Sequence, residues 1–206
     1  MYLICVDLEG VFSPEIWVSV SKGTGIKELM LTTRDVPDFN KLMDIRLSLL
    51  KKHNITLTDI QNIIKDINLL PGAKEFSDWL RSIFQVVIVT DNYIEFIKPI
   101  MKKLGYPTAF CHNLEVDECN IISKYCLRLD CMKLKTIQAF KDLNYEIIAI
   151  GDSYNDLEML QEAELGILFR PPNNLIKKYP EFPVAYEYSD LKSLISKHIG
   201  LSLQTI

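Results

Sequence analysis

Short, branched, almost wholly apolar runs recur along the chain at residues 2–6, 86–90, 147–150 and 165–169. They lack the in–out alternation of a half-exposed sheet, which is the pattern of parallel strands covered on both faces. Apolar residues at helical spacing fill the intervals at 73–81, 93–104 and 134–143. Strand and helix therefore alternate, and the order predicts an α/β fold with a doubly wound, mostly parallel, Rossmann-like sheet.

Residues 13–70 break that rhythm. Three helical candidates, 15–22, 39–52 and 58–66, follow one another without a convincing strand. In the third, Ile60, Ile63, Ile64 and Ile67 form a stripe, and Thr56 with Asp59 supplies a start signal. The expected division is a catalytic core of residues 1–12 and 71–206 and a helical cap of residues 13–70. Springing from the carboxyl end of the first strand, such an insert sits over any site formed there, as a lid or as a stabilising subdomain. Residues 109–129 alternate around Asp117-Glu118-Cys119-Asn120, which predicts a hairpin decorating the sheet edge. A turn and a surface helix with Leu191, Leu194, Ile195 and Ile199 on its apolar face are expected over 186–199.

The polar residues that matter cluster where apolar strands end, the place where open α/β sheets do chemistry. After the first strand come Asp7, Glu9 and Gly10, two carboxylates with a glycine that permits a tight turn. Near a bound dianion they need a cation, and a divalent metal would let Asp7 approach a phosphoryl group while Glu9 moves a proton. Thr90-Asp91-Asn92 follows the second strand, where a hydroxyl and the N–H groups of a helix start make a phosphate cradle; the sequence alone equally describes a helix cap. Lys133 and Lys135 precede the helix before the 146–150 strand, and a lysine there reaches phosphate oxygens. Gly151-Asp152-Ser153-Tyr154-Asn155-Asp156 offers two aspartates and an asparagine to a hard cation.

Composition narrows the options. The chain has 206 residues, with 23 Lys and Arg against 27 Asp and Glu, for a formal charge of −4. No basic block suggests nucleic-acid binding, and no apolar stretch approaches the roughly 18 residues of a membrane span. Cysteines at 5, 111, 119, 126 and 131 form no Cys-x-x-Cys pair, and the spacings around His112 fit no compact zinc knuckle. Reduced thiols and the lack of a signal pattern make the expected location cytoplasmic. A homodimer is left open.

Taken in order, Asp7-Leu8-Glu9-Gly10, Thr90-Asp91, Lys133 and Gly151–Asp156 resemble the four signatures of the haloacid dehalogenase superfamily, and the helical insert is similar to the small cap of its phosphoserine phosphatase group. Glu9, where most of that group has aspartate, together with Pro14-Glu15-Ile16-Trp17 and Thr32-Thr33-Arg34-Asp35, resembles bacterial members that are both phosphoserine phosphatases and homoserine phosphotransferases. The resemblance implies Mg²⁺-dependent hydrolysis of O-phospho-L-serine, with transfer to L-homoserine as a further activity. It implies Asp7 as the phosphorylated nucleophile and Glu9 as acid and then base. Asp7, the Glu9 carbonyl and Asp152 would be metal ligands, with Asp156 and Asn155 ordering the metal shell and Lys133. Thr90, Asp91 and Lys133 would lie at the phosphoryl group. Glu15 would meet the substrate ammonium, Arg46 its carboxylate, and Phe39 would cover them. The alternatives are a phosphatase for another small phosphomonoester, or a weakly active phosphate-ligand binding protein. Asp91 and Asn92 depart from the glycines usual after the second signature, as does the Cys131-Met132 approach to Lys133.

Overall fold

The computed structural model describes residues 1–32, 35–36 and 38–200; Thr33 and Arg34 of the Thr32–Asp35 stretch lie outside the described residues. Strand β1 (Tyr2–Val6) is central, paired in parallel with β2 (Gln85–Tyr93) on one side and β5 (Glu146–Gly151) on the other. With β3 (Thr108–Val116), β4 (Ile122–Cys126), β6 (Leu165–Phe169) and β7 (Val184–Ala185), these form one sheet of order β4-β3-β2-β1-β5-β6-β7. The β3–β4 pair is antiparallel and the others are parallel.

Alternation along β1 divides the interior into two layers. Leu3 and Cys5 join Val87, Val89, Ile147 and Ala149 on one face; Ile4 and Val6 join Ile88, Ile148 and Ile150 on the other. The first face is covered by α6 (Met132–Asp142), α7 (Leu157–Glu162) and α8 (Asn173–Lys178), through Met132, Ile137, Leu157, Met159, Leu160 and Leu175. The second is covered by α4 (Ala73–Ile83), α5 (Ile94–Lys103) and α9 (Tyr188–Ile199). This is the Rossmann-like, mostly parallel α/β architecture that the apolar runs predict.

Between β1 and α4 lie α1 (Ile16–Thr24), a 3₁₀ turn at Lys27–Met30, α2 (Phe39–Lys52) and α3 (Leu57–Lys65). Helix α3 begins at the predicted place, with Thr56 and Asp59 exchanging side-chain and backbone hydrogen bonds in a capping box. The turn between β3 and β4 holds that end: Leu57 N donates to Asn120 O at 2.8 Å and Thr58 N to Asn120 Oδ1 at 2.9 Å. On α2, Asn40 Oδ1 accepts from Tyr125 Oη at 2.7 Å, and Phe39 meets the Tyr125 ring edge-on. Trp17 packs edge-on against Phe96 of α5 at 5.4 Å, and Ile60 and Ile64 belong to the same buried cluster as Ile4 and Val6. The helical segment is thus continuous with one core layer of the sheet.

Two expectations need correction. The 109–129 region does contain a hairpin, but β3 is more than an edge decoration: Thr108, Ala109 and Phe110 pair in parallel with Val87, Ile88 and Val89 before Asn113–Val116 turns to β4. The half-exposed Thr108–Phe110 run lacks the apolar density of a doubly covered strand and so resembles a hairpin arm. Thr90-Asp91-Asn92 does not stand at a helix start. Strand β2 runs on to Tyr93 through a register shift between Val89 and Tyr93, and α5 begins at Ile94. The polar side chains do this by satisfying the distorted backbone: Asn92 N donates to Thr90 Oγ1 at 3.3 Å and Tyr93 N to Asn92 Oδ1 at 2.9 Å.

Candidate active site

The carboxyl ends of β1, β2 and β5 meet beneath the helical segment, around a cavity of about 690 Å³. Asp7 is the first residue beyond β1. Its backbone N–H still donates to Ile150 O at 2.9 Å, which keeps it aligned with β5, while its Oδ1 accepts from Leu8 N at 2.8 Å. Its Oδ2 lies 3.2 Å from Lys133 Nζ. Lys133 stands in the first turn of α6, entered through Cys131 in a left-handed conformation at φ 52°. That turn aims its ammonium inward, 2.7 Å from Asp156 Oδ1 and 3.5 Å from Asp91 Oδ2.

Asp156 is fully buried, and both of its oxygens are engaged. Oδ2 accepts from Asp152 N at 2.9 Å and Ser153 N at 3.1 Å, so the carboxylate shapes the loop after β5 as well as holding Lys133. Two glycines make this crowding feasible. A Cβ on Gly10, whose φ is 74°, would strike the Asp152 carboxylate, and one on Gly151 would strike that of Asp156.

Charge is unbalanced here. Burial raises the Asp7 pKa well above the ordinary range; Lys133 opposes the shift, and Asp156, Asp152 and Asp91 add to it. Asp152 is pushed up to about 7 by burial, then by Asp156 and Glu15. Burial would lower the Lys133 pKa, but Asp156, Asp7 and Asp91 together hold it well above that of a free lysine. One ammonium thus pairs with three carboxylates, Asp7, Asp91 and Asp156, and Asp152 stands beside them without an ion pair of its own among the described residues. Oxygens of Asp7, Asp152 and Asp156 lie within 4.8 Å of one another, the one metal-competent grouping among the described residues. An all-oxygen, under-compensated set of this kind suits a hard divalent cation such as Mg²⁺.

The Glu9 side chain stands outside that group. Its Oε1 accepts from Ile16 N at the start of α1, and its Oε2 from Asn92 Nδ2 at 3.0 Å. Burial and the neighbouring Glu15 push its pKa up to about 7 against those hydrogen bonds, which leaves it able to give and take a proton near neutrality. Asp91 is held below the ordinary range: burial opposes this, but Lys133, Asn155 and His112 prevail. Asn155 Nδ2 donates to Asp91 Oδ2 at 3.0 Å. Thr90 is buried and does not line the cavity.

Glu15, Phe39 and Arg46 also line the cavity. Arg46 lies 4.4 Å over the Trp17 ring and donates from Nη2 to Leu31 O at 2.7 Å. Sequence reasoning missed Trp17, Tyr93 and His112, which also line the cavity, and missed that Asn92 holds Glu9. No spacing rule distinguishes these from core residues. The fixed position of Asn92, two after Thr90 where glycine is usual, was the one available signal.

Residues 22–164 match the haloacid dehalogenase-like hydrolase family. The chain belongs to that family and is a phosphatase of its Mg²⁺-dependent, aspartate-nucleophile type. Within it, the chain is 48% identical over 203 residues to phosphoserine phosphatase ThrH of Pseudomonas aeruginosa, spanning 98% of this chain and 99% of that one. It is 49% identical over 190 residues to a phosphoserine phosphatase of Pseudomonas syringae pv. tomato, spanning 92% and 80%. These relatives place it in the phosphoserine phosphatase group. The fold is shared with a solved phospho-aspartyl intermediate analogue of phosphoserine phosphatase, at TM-score 0.76 and 21% identity over 95% of this chain and 97% of that one. No described helix is long and apolar enough to cross a membrane.

Proposed function

We propose that the chain hydrolyses O-phospho-L-serine through a phosphoaspartate at Asp7 and passes the phosphoryl group to L-homoserine when that alcohol occupies the site. The observation that carries this reading is that one cavity is lined both by Asp7, Lys133 and Asp152 and by Arg46 and Glu15. The first set suits a phosphoryl dianion and its metal. The second suits a zwitterion, which needs one fork-shaped cation and one anion.

An Asp7 oxygen attacks phosphorus, the bond from phosphorus to the serine oxygen breaks, and Glu9 gives that oxygen its proton. Glu9, now a carboxylate, takes a proton from water or from the homoserine hydroxyl. The oxygen so activated attacks phosphorus, and the bond to Asp7 breaks. Lys133 keeps Asp7 oriented and offsets the charge gathered at the transferring group. The side chains of Asp7 and Asp152 with the Glu9 carbonyl would hold Mg²⁺, and Asp156 would order them. When bound, the ion offsets the negative charge that otherwise keeps Asp7 and a phosphate apart. Residues 13–70 would act as the cap that selects substrate, and Phe39 would close over the serine moiety.

The test is Mg²⁺-dependent turnover of O-phospho-L-serine with and without L-homoserine, following phosphate and O-phosphohomoserine together. Both products, each lost in Asp7→Asn, are expected. Phosphate alone would remove the transferase part, and neither product would remove the substrate assignment.

A further inference from the structure

One face of α2 lines the cavity: Phe39, Leu42, Met43 and Arg46, spaced i, i+3, i+4 and i+7, are all cavity residues. Where the helix sits therefore decides where all four stand. Further along, α2 is well fixed, because Met43 and Leu50 are buried in the core layer shared with the sheet, and Arg46 is tied to Leu31 and Trp17. Its first turn has less to hold it: Asn40 and Lys41 are exposed and Phe39 is half-buried. Among the described residues, one hydrogen bond joins α2 to any part of the chain beyond residue 70, and it is made at this turn, from Tyr125 Oη of β4 to Asn40 Oδ1 at 2.7 Å.

Tyr125 makes that bond from a rigid seat. It pairs with Leu114 across the antiparallel hairpin, and Leu114, itself buried, donates its N–H to Glu95 Oε2 of α5 at 2.9 Å. The ring meets Phe39 edge-on at 6.0 Å, so one side chain touches both of the residues that open α2. Burial, then Asp44 and Asp38, raise the pKa of the phenol, so the hydroxyl keeps its proton and donates. Tyr125 does not line the cavity, and any effect it has on a ligand must pass through α2. The bond at the tip of the hairpin is of another kind, since Asn120 holds α3, which supplies no cavity residue.

We propose that Tyr125 is a positioning residue, holding the first turn of α2, and with it Phe39, in place at the active-site cavity. This rests on the reading of the cavity as an amino-acid phosphate site. Without the bond the turn spends part of its time displaced, and substrate binds only to the fraction in which it is seated. Binding weakens while Asp7, Lys133 and Asp152 stay as they are. The signature is therefore a higher KM with little change in kcat.

The experiment is a double-mutant cycle of Tyr125→Phe and Asn40→Ala, each of which removes the hydrogen bond and leaves an aromatic ring against Phe39. Hydrogen exchange at the amides of residues 41 and 42, which bond to Asp38, reports on the first turn in the ligand-free protein once corrected for intrinsic rates. Each single variant should speed that exchange about fivefold, the size expected for one hydrogen bond, and the double variant no more than either single. With Mg²⁺ and O-phospho-L-serine, each single variant should raise KM about threefold or more, change kcat less than KM, and show no further loss in the double. Unchanged exchange, an unchanged KM, or additive effects of the two substitutions would overturn the role of Tyr125. If wild type hydrolyses other phosphomonoesters but not O-phospho-L-serine, the proposed function fails instead. The exchange cycle, which needs no substrate, then decides Tyr125 alone.

Discussion

Lys133 is the single cation in a buried group of acids, and replacing it with methionine isolates what that cation contributes. The ammonium is 4% exposed, 2.7 Å from an Asp156 that is 0% exposed and 3.2 Å from an Asp7 that is 5% exposed. Its third partner, Asp91, is 40% exposed and screened by solvent, so it adds little. Removing one member of a buried ion pair costs about 3–5 kcal/mol because the other is left unpaired. Out of a typical total of about 5–15 kcal/mol, that is a large fraction. At roughly 2 kcal/mol per molar urea, the unfolding midpoint of Lys133→Met should fall by about 2 M at pH 8 in a chelator.

The pH dependence has a definite sign. Lys133 opposes the rise of the Asp7 pKa, so the variant raises it further. An acid whose folded pKa exceeds its unfolded value near 3.9 keeps its proton longer in the native state, and stability is lost as pH climbs from about 4 through the folded pKa. The deficit relative to wild type should therefore be smallest near pH 4.5 and largest at pH 8, and Mg²⁺ should restore part of it. Urea titrations at those pH values, with chelator and with Mg²⁺, measure this. Wild-type stability at pH 8 in chelator, or a deficit that does not vary with pH, would refute the argument.

Gly10→Ala places a methyl group into the Asp152 carboxylate at a φ of 74°; it should lose about 1–2 kcal/mol from backbone strain and bind Mg²⁺ at least tenfold more weakly by calorimetry. Arg46→Ala should raise KM at least about tenfold more for O-phospho-L-serine than for O-phosphoethanolamine, and equal losses would count against the proposal that it binds the substrate carboxylate. His112 accepts from Arg128 N through Nδ1 at 3.1 Å, and burial lowers its pKa, with Asp91 opposing and Arg128 and Lys133 adding to the shift. The unfolded chain therefore takes up this proton first. Wild type should lose stability relative to His112→Asn as pH falls below about 6.5, which paired thermal melts at pH 8 and pH 5.5 would detect.

The sheet was legible because β1, β5 and β6 are buried on both faces and carry few polar residues to obscure them. Asp7, Asp152 and Asp156 were legible because each lies just beyond an apolar strand, where chain position brings them together; position left Lys133 and Lys135 equal, and only the family resemblance separated them. Strand β3 was harder to read: it changes partner along its length, and its parallel half is only partly buried. The short α7, α8 and β7 carry too few residues to set up a period. Asn92 was legible only as a departure from the usual glycine, and its hold on Glu9 was not. That contact comes from a register shift that carries β2 past Thr90, and a bulge is a property of the paired strands rather than of either sequence.

The strand that leads into Asp7 is made before both of its partners and cannot be paired for a long time afterwards. Ile4 lies between Val86 and Ile148, so its first neighbour arrives after about eighty further residues and its second after more than a hundred and forty. Until then Leu3 to Val6, four apolar residues destined for the centre of the sheet, have no native place to go. The rigid seat of Asp7 is thus obtained through a high contact order, and with it come slow assembly and an early exposed segment prone to aggregation.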